Sequence, residues 1–452
     1  MTQTVTATNE AFAYSRDRLT DIVQDILRQA ASNGATACEA EISEGFGQNV
    51  TVRLGEVETI EYNRDKGVGV TVYIGQQKGH ASTSDFSPRA IADTVKAALS
   101  IARYTAADDC AGLADPALLA RQTPAIDLCF PWALPVEHAI ELARECEAVA
   151  QAADPRISNS EGATVSTQQS HFIYGNSLGF CDGYESSRHS LSASVIAEAD
   201  GAMQRDYWYS VARAAADLES AAQVGRIAGE RTARRLGAVK INTTQVPVLF
   251  EASLAAGLIG SLVSAVSGGA LYRRSSFLLD SLGQQIFSPI VQIRELPHLV
   301  KGLASSPFDA EGVLTRDREL VKDGVLNGYF LGSYSARKLG MQSTGNAGGC
   351  HNLLVDSTGE DFEALLHKMD RGLVVTELLG HGINPVTGDY SRGAAGFWVE
   401  NGQIQYPVEE ITIAGNLKDM FKGIVAVGND VLVRGSKQCG SILIDRMMVA
   451  GN

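Results

Sequence analysis

Two stretches of this chain, residues 38–75 and 156–212, alternate apolar and polar side chains with a period of two, and this periodicity constrains the fold more than any other feature. The first reads CEAEISE, NVTVRLG, EVETIEYN and GVGVTVYIG between turn residues. The second reads ATVSTQQ, SHFIYGN, GFCDGYESS, HSLSASVIAEA and AMQRDYWYSVA, interrupted at Gly, Asn or Asp. A period of two puts every second side chain on one face, so both stretches predict antiparallel meanders with one buried face. Helical spacing surrounds them. Leu19, Ile22, Val23, Ile26, Leu27 and Ala30 recur at that spacing and stop at Gly34, which suits a helix C-cap. Ser87-Pro88 opens a second helix that runs to about Tyr104, PVEHAIELARECEAVAQAAD a third, and a fourth spans about Leu218 to Leu236. Residues 108–132 lose all periodicity and contain Pro116, Pro124 and Pro131, which predicts a connection running over the surface. Residues 1–236 are therefore expected to form one α+β domain of helices and antiparallel meanders.

Residues 237–452 are patterned differently. A short apolar strand, QVPVLF, runs straight into the helical stretch EASLAAGLIGSLVSAVSGG. Short strands follow: QIFSPIVQIRE, GVLTRDRELVKDGVLNGYFLG, AAGFWVENGQIQYPV and KQCGSILIDRMMVAG. The expectation is a second, mainly-strand domain with one principal helix, and an α+β fold class for the whole chain.

A formal charge of -14 repels phosphate backbones and argues against a nucleic-acid partner. The nearest thing to a basic patch, Arg231, Arg234 and Arg235, sits among alanines and reads as a solvated helix face near its C-terminus. Seven scattered cysteines without a CxxC pair predict a reducing compartment. The first residues have no basic and apolar signal pattern, and no run of about 18 apolar residues occurs, so a cytoplasmic protein away from membranes is expected.

Strong catalytic motifs are lacking: HExxH, a paired-Cys zinc spacing, a Walker loop and GxSxG do not occur. Cys350-His351, Glu377 with His381 at i and i+4, and Cys439 offer thiolate and imidazole groups that could converge on zinc. Against this, neighbouring residues of a strand point to opposite faces, and TELLGHG runs quickly into glycine. Isolated histidines are more often hydrogen-bonded structural residues.

From residue 245 onward the chain resembles the TldD/TldE (PmbA) peptidase family, whose members were once described as modulators of DNA gyrase. The resemblance is carried by FEASLAAGLIGSLVSAVSGGALYRRSSFLLDSLGQQIFSP, FDAEGVLTRDRELVKDGVLNGYFLGSYSARKLGMQSTGNAGG, VTELLGHGINPVTGDYSRGAAGFWVENGQIQYPVEEITIAGNLKDMF and the CGSILI segment. The third block points to the TldE/PmbA branch. In the TldD branch, the matching helix start looks like HExxxH, with two zinc-binding histidines and a general-base glutamate. Here Phe250 and Ala255 stand at the histidine positions, and neither has a lone pair for a metal. Glu251 remains at the glutamate position, and Cys439 lies near where that branch places a cysteine ligand. The resemblance also implies a peptide groove built from Tyr272, Arg273, Arg274, Ser343, Thr344, Gly345, Asn346, Asn384, Gly388, Asp389, Tyr390, Ser391 and Arg392, which would grip a peptide mainly through its backbone.

The resemblance thus implies a subunit of a cytosolic zinc-dependent peptidase for unfolded or short peptides. This chain would have no cofactor of its own and would supply structure and part of the groove, with the zinc on a TldD-type partner in a heterodimer. Two alternatives stay open: a homodimeric, non-enzymatic peptide-binding or regulatory module, and an autonomous metallopeptidase using Cys350, His351 and His381.

Overall fold

The computed structural model describes residues 12–451. Its first half consists of α1 (Arg16–Ser32), β1 (Ala37–Arg53), β2 (Glu56–Ile74), β3 (Gln77–Thr83), α2 (Pro88–Tyr104), α3 (Val136–Ala152), β4 (Ile157–Asn176), β5 (Cys181–Ala199), β6 (Ala202–Ala212) and α4 (Ala221–Ala233). Ser15, Ser87 and Ser220 cap α1, α2 and α4 by accepting a backbone N–H of the first turn.

The two meanders are one sheet of order β3-β2-β1-β4-β5-β6. They join because β1 and β4 pair antiparallel from Glu39↔Asn176 to Val52↔Ala163. The strands are also longer than the sequence pattern implies. The glycines that seemed to divide them lie inside them, where they allow the neighbouring backbone to come close. A Cβ on Gly47 would stand 2.2 Å from the Thr167 carbonyl oxygen, and one on Gly183 would stand 1.9 Å from that of Phe172. At 17 residues, β1 spans roughly 55 Å. Its length serves two helix pairs in succession. Cys38, Ala40 and Ile42 pack with α1 and α2, while Val50 and Val52, on the same face, pack with α3 and α4.

The second half contains β7 (Thr244–Phe250), α5 (Ala252–Ala265), α6 (Gly268–Tyr272), β8 (Ile293–Glu295), β9 (Arg318–Lys322), β10 (Val325–Leu326), α7 (Ser333–Lys338), β11 (Leu353–Val355), α8 (Phe362–Met369), β12 (Gly372–Leu379), β13 (Asp389–Glu400), β14 (Gln403–Asn416), α9 (Leu417–Lys422), β15 (Ile424–Val427), β16 (Leu432–Val433), β17 (Lys437–Cys439) and β18 (Ile442–Ala450). One sheet has the order β10-β9-β8-β11-β17-β16. The other, β14-β13-β12-β7-β18-β15, closes into a barrel because β14 also pairs with β18, as at Thr412↔Ala450. Helix α5, the principal helix of this half, packs against β17 of the first sheet and against β7 and β12 of the barrel. The α+β class holds, with a barrel that the short strands alone did not reveal. Glu377 lies in strand β12, so the helical relation between Glu377 and His381 does not arise. Among the described residues, no helix is long and apolar enough to cross a membrane.

The Pro-containing connection is not a loose surface run but a strap bound to the second half. Arg337 donates to the carbonyls of Cys110 and Gly112, each at 3.1 Å, and also to that of Leu113. Lys338 pairs with Asp108 at 2.9 Å, and Leu119 bridges to Val313. Arg337→Ala removes every donor that holds residues 110–113 from that side. Trypsin is expected to cut at Arg121 several-fold faster in this variant than in the parent, as followed by mass spectrometry of native digests. Equal cutting rates would show that the strap is held elsewhere.

Candidate functional site

Strand β7 ends at Phe250, the chain turns at Glu251, and α5 begins at Ala252. Phe250 and Ala255 are fully buried and belong, with Cys439, to the largest apolar cluster of the second half. The Phe250 ring meets Tyr390 edge-on at 6.5 Å between centroids. Burial pushes the Cys439 thiol up to about 12, with Asp430 adding to the shift, so it stays protonated at neutral pH. An aromatic ring, a methyl group and a neutral thiol do not fit a zinc ion, which takes thiolate, imidazole or carboxylate ligands.

The Glu251 carboxylate faces arginines. Arg231 Nη1 donates to both of its oxygens at 2.8 Å, Arg234 Nη2 lies 3.3 Å away, and Ser253 Oγ donates at 2.8 Å. Burial alone would raise this carboxyl, but the charges of Arg231 and Arg234 outweigh it and hold it below the usual carboxylate range. The same arginines continue the network: Arg231 Nε lies 3.3 Å and Arg235 Nη1 3.7 Å from Asp206 of β6, and Arg235 also pairs with Glu377 of β12. The solvated-face reading holds for Arg234, which is exposed, and is corrected for Arg231 and Arg235. Arg231 and Asp206 are buried and Arg235 nearly so, because the carboxylates that match them come from segments distant in sequence. Three arginines on one alanine-rich helix end were the available sequence signal for this cluster.

The remaining groove candidates fall in three places. Tyr272 and Arg273 contact each other and Tyr334 at the end of α6, and Arg273 and the adjoining Arg274 are exposed. Ser343 donates to the Leu331 carbonyl, Thr344 Oγ1 accepts from the Leu331 amide, and the Gly345 N–H donates to Ser343 Oγ at 3.3 Å. Asn346 is buried: its Nδ2 donates to Glu295 Oε1 at 2.8 Å and its Oδ1 accepts from Arg318 at 3.0 Å. It therefore faces a network within the protein and not a cleft. Asn384 and Asp389 shape the turn before β13 by accepting from Val386 and Asn416, beside the buried Gly388 and the exposed Ser391. Tyr390 and Arg392, two apart on β13, reach the barrel end where Glu251 sits; Arg392 Nη2 approaches the Leu378 carbonyl at 3.5 Å.

The grouping of Cys350, His351 and His381 does not assemble. His351 Nδ1 is 3.1 Å from buried Glu295, Cys350 contacts Ser436, and His381 is exposed in the turn after β12. No three His, Cys, Asp or Glu side chains among the described residues are grouped as a metal site.

Comparison with known proteins adds kinship to this geometry. Profiles of the PmbA/TldA metallopeptidase match in series: domain 1 over residues 38–102, the central domain over 130–236 and the C-terminal domain over 243–451. The metalloprotease PmbA of Escherichia coli O157:H7 is 53% identical over 423 residues, 94% of each chain. A solved structure from Bacteroides thetaiotaomicron, named for modulation of DNA gyrase, superposes with a TM-score of 0.92 at 27% identity, covering 97% of this chain and 100% of that one. TldE from Thermococcus kodakarensis shares the fold, with a TM-score of 0.84 at 19% identity over 95% of this chain and 100% of its own.

The Glu295 network generates a pH prediction. Burial would raise the Glu295 carboxyl, but the hydrogen bond from His351 and the charge of Arg318 outweigh it and bring it down from 4.5 to about 2. A carboxyl depressed in the folded state stabilises the fold above its unfolded value and loses that contribution as pH falls. Roughly 3 kcal/mol should therefore disappear between pH 4.5 and about 2. Urea denaturation across that window should show the loss in the parent and a flatter profile in Glu295→Gln. Asn346→Ala should cost about 1–3 kcal/mol of stability at neutral pH by leaving Glu295 and Arg318 short of a partner. A variant as stable as the parent would return Asn346 to the groove.

Proposed function

This chain belongs to the PmbA/TldD metallopeptidase family, and from that premise we propose that it is a TldE/PmbA-type subunit that performs no metal chemistry itself. In this reading it pairs with a TldD-like subunit that holds the catalytic zinc, and together they process unfolded or short peptides in the cytosol. The observation that carries the reading is the state of the β7–α5 junction. The two positions that would be imidazoles are sealed core, and the glutamate between them is neutralised by Arg231 and Arg234. A general base needs a polarised water within reach and a carboxylate free to take its proton. Glu251 is instead a structural anion.

The peptide-groove part of the proposal draws on β12. Its parallel pairing with β7 runs only from Leu373 to Val375, so among the described residues no strand pairs with Thr376–Leu379 on that side. An unpaired strand edge can take up an extended peptide through main-chain hydrogen bonds, which tolerates varied side chains. Arg392 approaches the Leu378 carbonyl of this stretch, and the cytosolic assignment is supported by seven free cysteines.

Coexpression with a TldD-like subunit tests the proposal. The two chains should copurify, zinc should appear only with the partner, and peptide cleavage should require both. Glu251→Gln in the complex should leave turnover unchanged, and Phe250→His with Ala255→His should gain at most weak zinc binding, because nothing nearby orients the new imidazoles. Stoichiometric zinc and cleavage by this chain alone, or a large loss of turnover from Glu251→Gln with assembly intact, would overturn the assignment.

A further inference from the structure

Beside the Glu251 junction lies a cavity of about 180 Å³, enclosed by β6, the end of α4, the start of α5, β12 and the segment after β16. Its charge balance is unlike that of the chain. The whole protein carries -14, yet the cavity is lined by Arg205, Arg231, Arg235 and Arg434 against two carboxylates, Asp206 and Glu377. Asp206 and Glu377 already pair with Arg231 and Arg235, and Glu161 pairs with Arg205 at 3.0 Å. Arg434 is left over. Its guanidinium lies 3.9 Å from the ring centroid of Trp208 and 4.1 Å from that of Tyr209, and among the described residues it has neither an ion pair nor a hydrogen bond. The nearby Glu219 carboxylate accepts instead from Trp208 Nε1 at 3.1 Å.

Two polar atoms of the lining are buried without a hydrogen-bond partner, Arg434 Nη2 and Thr376 Oγ1, whereas Arg231 Nε already faces Asp206 at 3.3 Å. Buried polar groups are normally satisfied, so two orphans on one cavity mark a place built for something that satisfies them. Both can donate, and a guanidinium beside a hydroxyl calls for an anionic acceptor. Thr376 reaches the cavity because it is the extra residue of a β-bulge, between Val375, which pairs with Gly396, and Glu377, which pairs with Ala395.

From this arrangement we infer that the cavity binds a carboxylate, the C-terminal carboxylate of a short peptide. Arg434 supplies a planar fork for both oxygens, and Thr376 supplies a further donor. Trp208 and Tyr209 give apolar walls for the terminal side chain. The peptide backbone continues along the unpaired edge of β12 that begins at the same threonine. The inference rests on the peptide-binding part of the proposed function and adds an end-recognition site to it.

The test uses the purified full-length chain without a partner and reads binding by calorimetry and by tryptophan fluorescence, since Trp208 lines the site. Trialanine should bind saturably, and its C-terminal amide should bind roughly tenfold or more weakly, the loss expected for a charge-assisted pair. Inorganic phosphate should not displace the tripeptide. Arg434→Gln should cost a similar factor, with Arg434→Lys recovering part of it. Should thermal melting show that Arg434→Gln does not fold, Thr376→Val, which leaves every charge in place, should still weaken the free acid relative to the amide. Equal affinity for acid and amide, displacement by phosphate, no binding of trialanine, or no effect of Thr376→Val would each overturn the site. No partner or turnover enters the measurement, so a negative result leaves copurification and zinc content to decide the subunit assignment separately.

Discussion

The run of ion pairs Glu251–Arg231–Asp206–Arg235–Glu377 joins the three parts of the protein where they meet. Asp206 belongs to the edge strand of the long sheet, the arginines to α4, Glu251 to the turn between β7 and α5, and Glu377 to the barrel. Removing two charges from water costs several kcal/mol per ion, and a buried pair repays this only with close geometry and satisfied neighbours. Alternating acids and bases, each arginine placed between two carboxylates, meet that condition. Loss of one member strands the next, so the network specifies how the sheet, the helix and the barrel are arranged and is poorly suited to one-residue change.

The same network engages the carboxylate at the β7–α5 junction. A carboxylate at a helix start beside a strand end could act on a polarised water. Here it is clamped by two guanidinium groups and flanked by a buried ring and a buried methyl group. The junction has a packing and charge-pairing character. A second buried network, Glu295 with Arg318, Asn346 and His351, does for the smaller sheet what the first does at the junction: it ties the glycine-rich loop to β8 through a carboxylate held ionised.

These networks leave an unpaired cation behind. Arg434 stands at the edge of the first network with aromatic faces for support and, among the described residues, no carboxylate in an ion pair with it. A guanidinium is weakly hydrated and stacks well on aromatic rings, so it tolerates a half-buried position while keeping its fork available. Structural charge and available charge thus lie side by side, distinguished only by whether a carboxylate of the same chain reaches them.

Read alone, the sequence determined the elements. Period-two alternation and helical spacing are local, so helices α1 to α4, the buried side of β1 and the α+β class were legible from it, whereas β2 does not keep one buried face: Val57, Ile60 and Tyr62 are exposed and Val68 to Tyr73 are buried on both sides. The motif blocks carried the family, and Phe250 and Ala255 put no metal-binding side chain at the β7–α5 junction. What only the tertiary structure decided is what depends on partners distant in the chain. Gly45 and Gly47 of β1 looked like turn residues because nothing local says that a neighbouring backbone will approach within contact distance of them. Arg231 and Arg235 looked solvated because their acids lie at residues 206, 251 and 377. Asn346 looked like a groove residue because Glu295 is far from it in sequence. Barrel closure needs β14 to meet β18, and Arg434 gains its meaning from Trp208 across the interface. Side-chain periodicity is set by the backbone over a few residues, whereas a charge or a close approach is defined by what stands opposite it, and only folding brings that partner near.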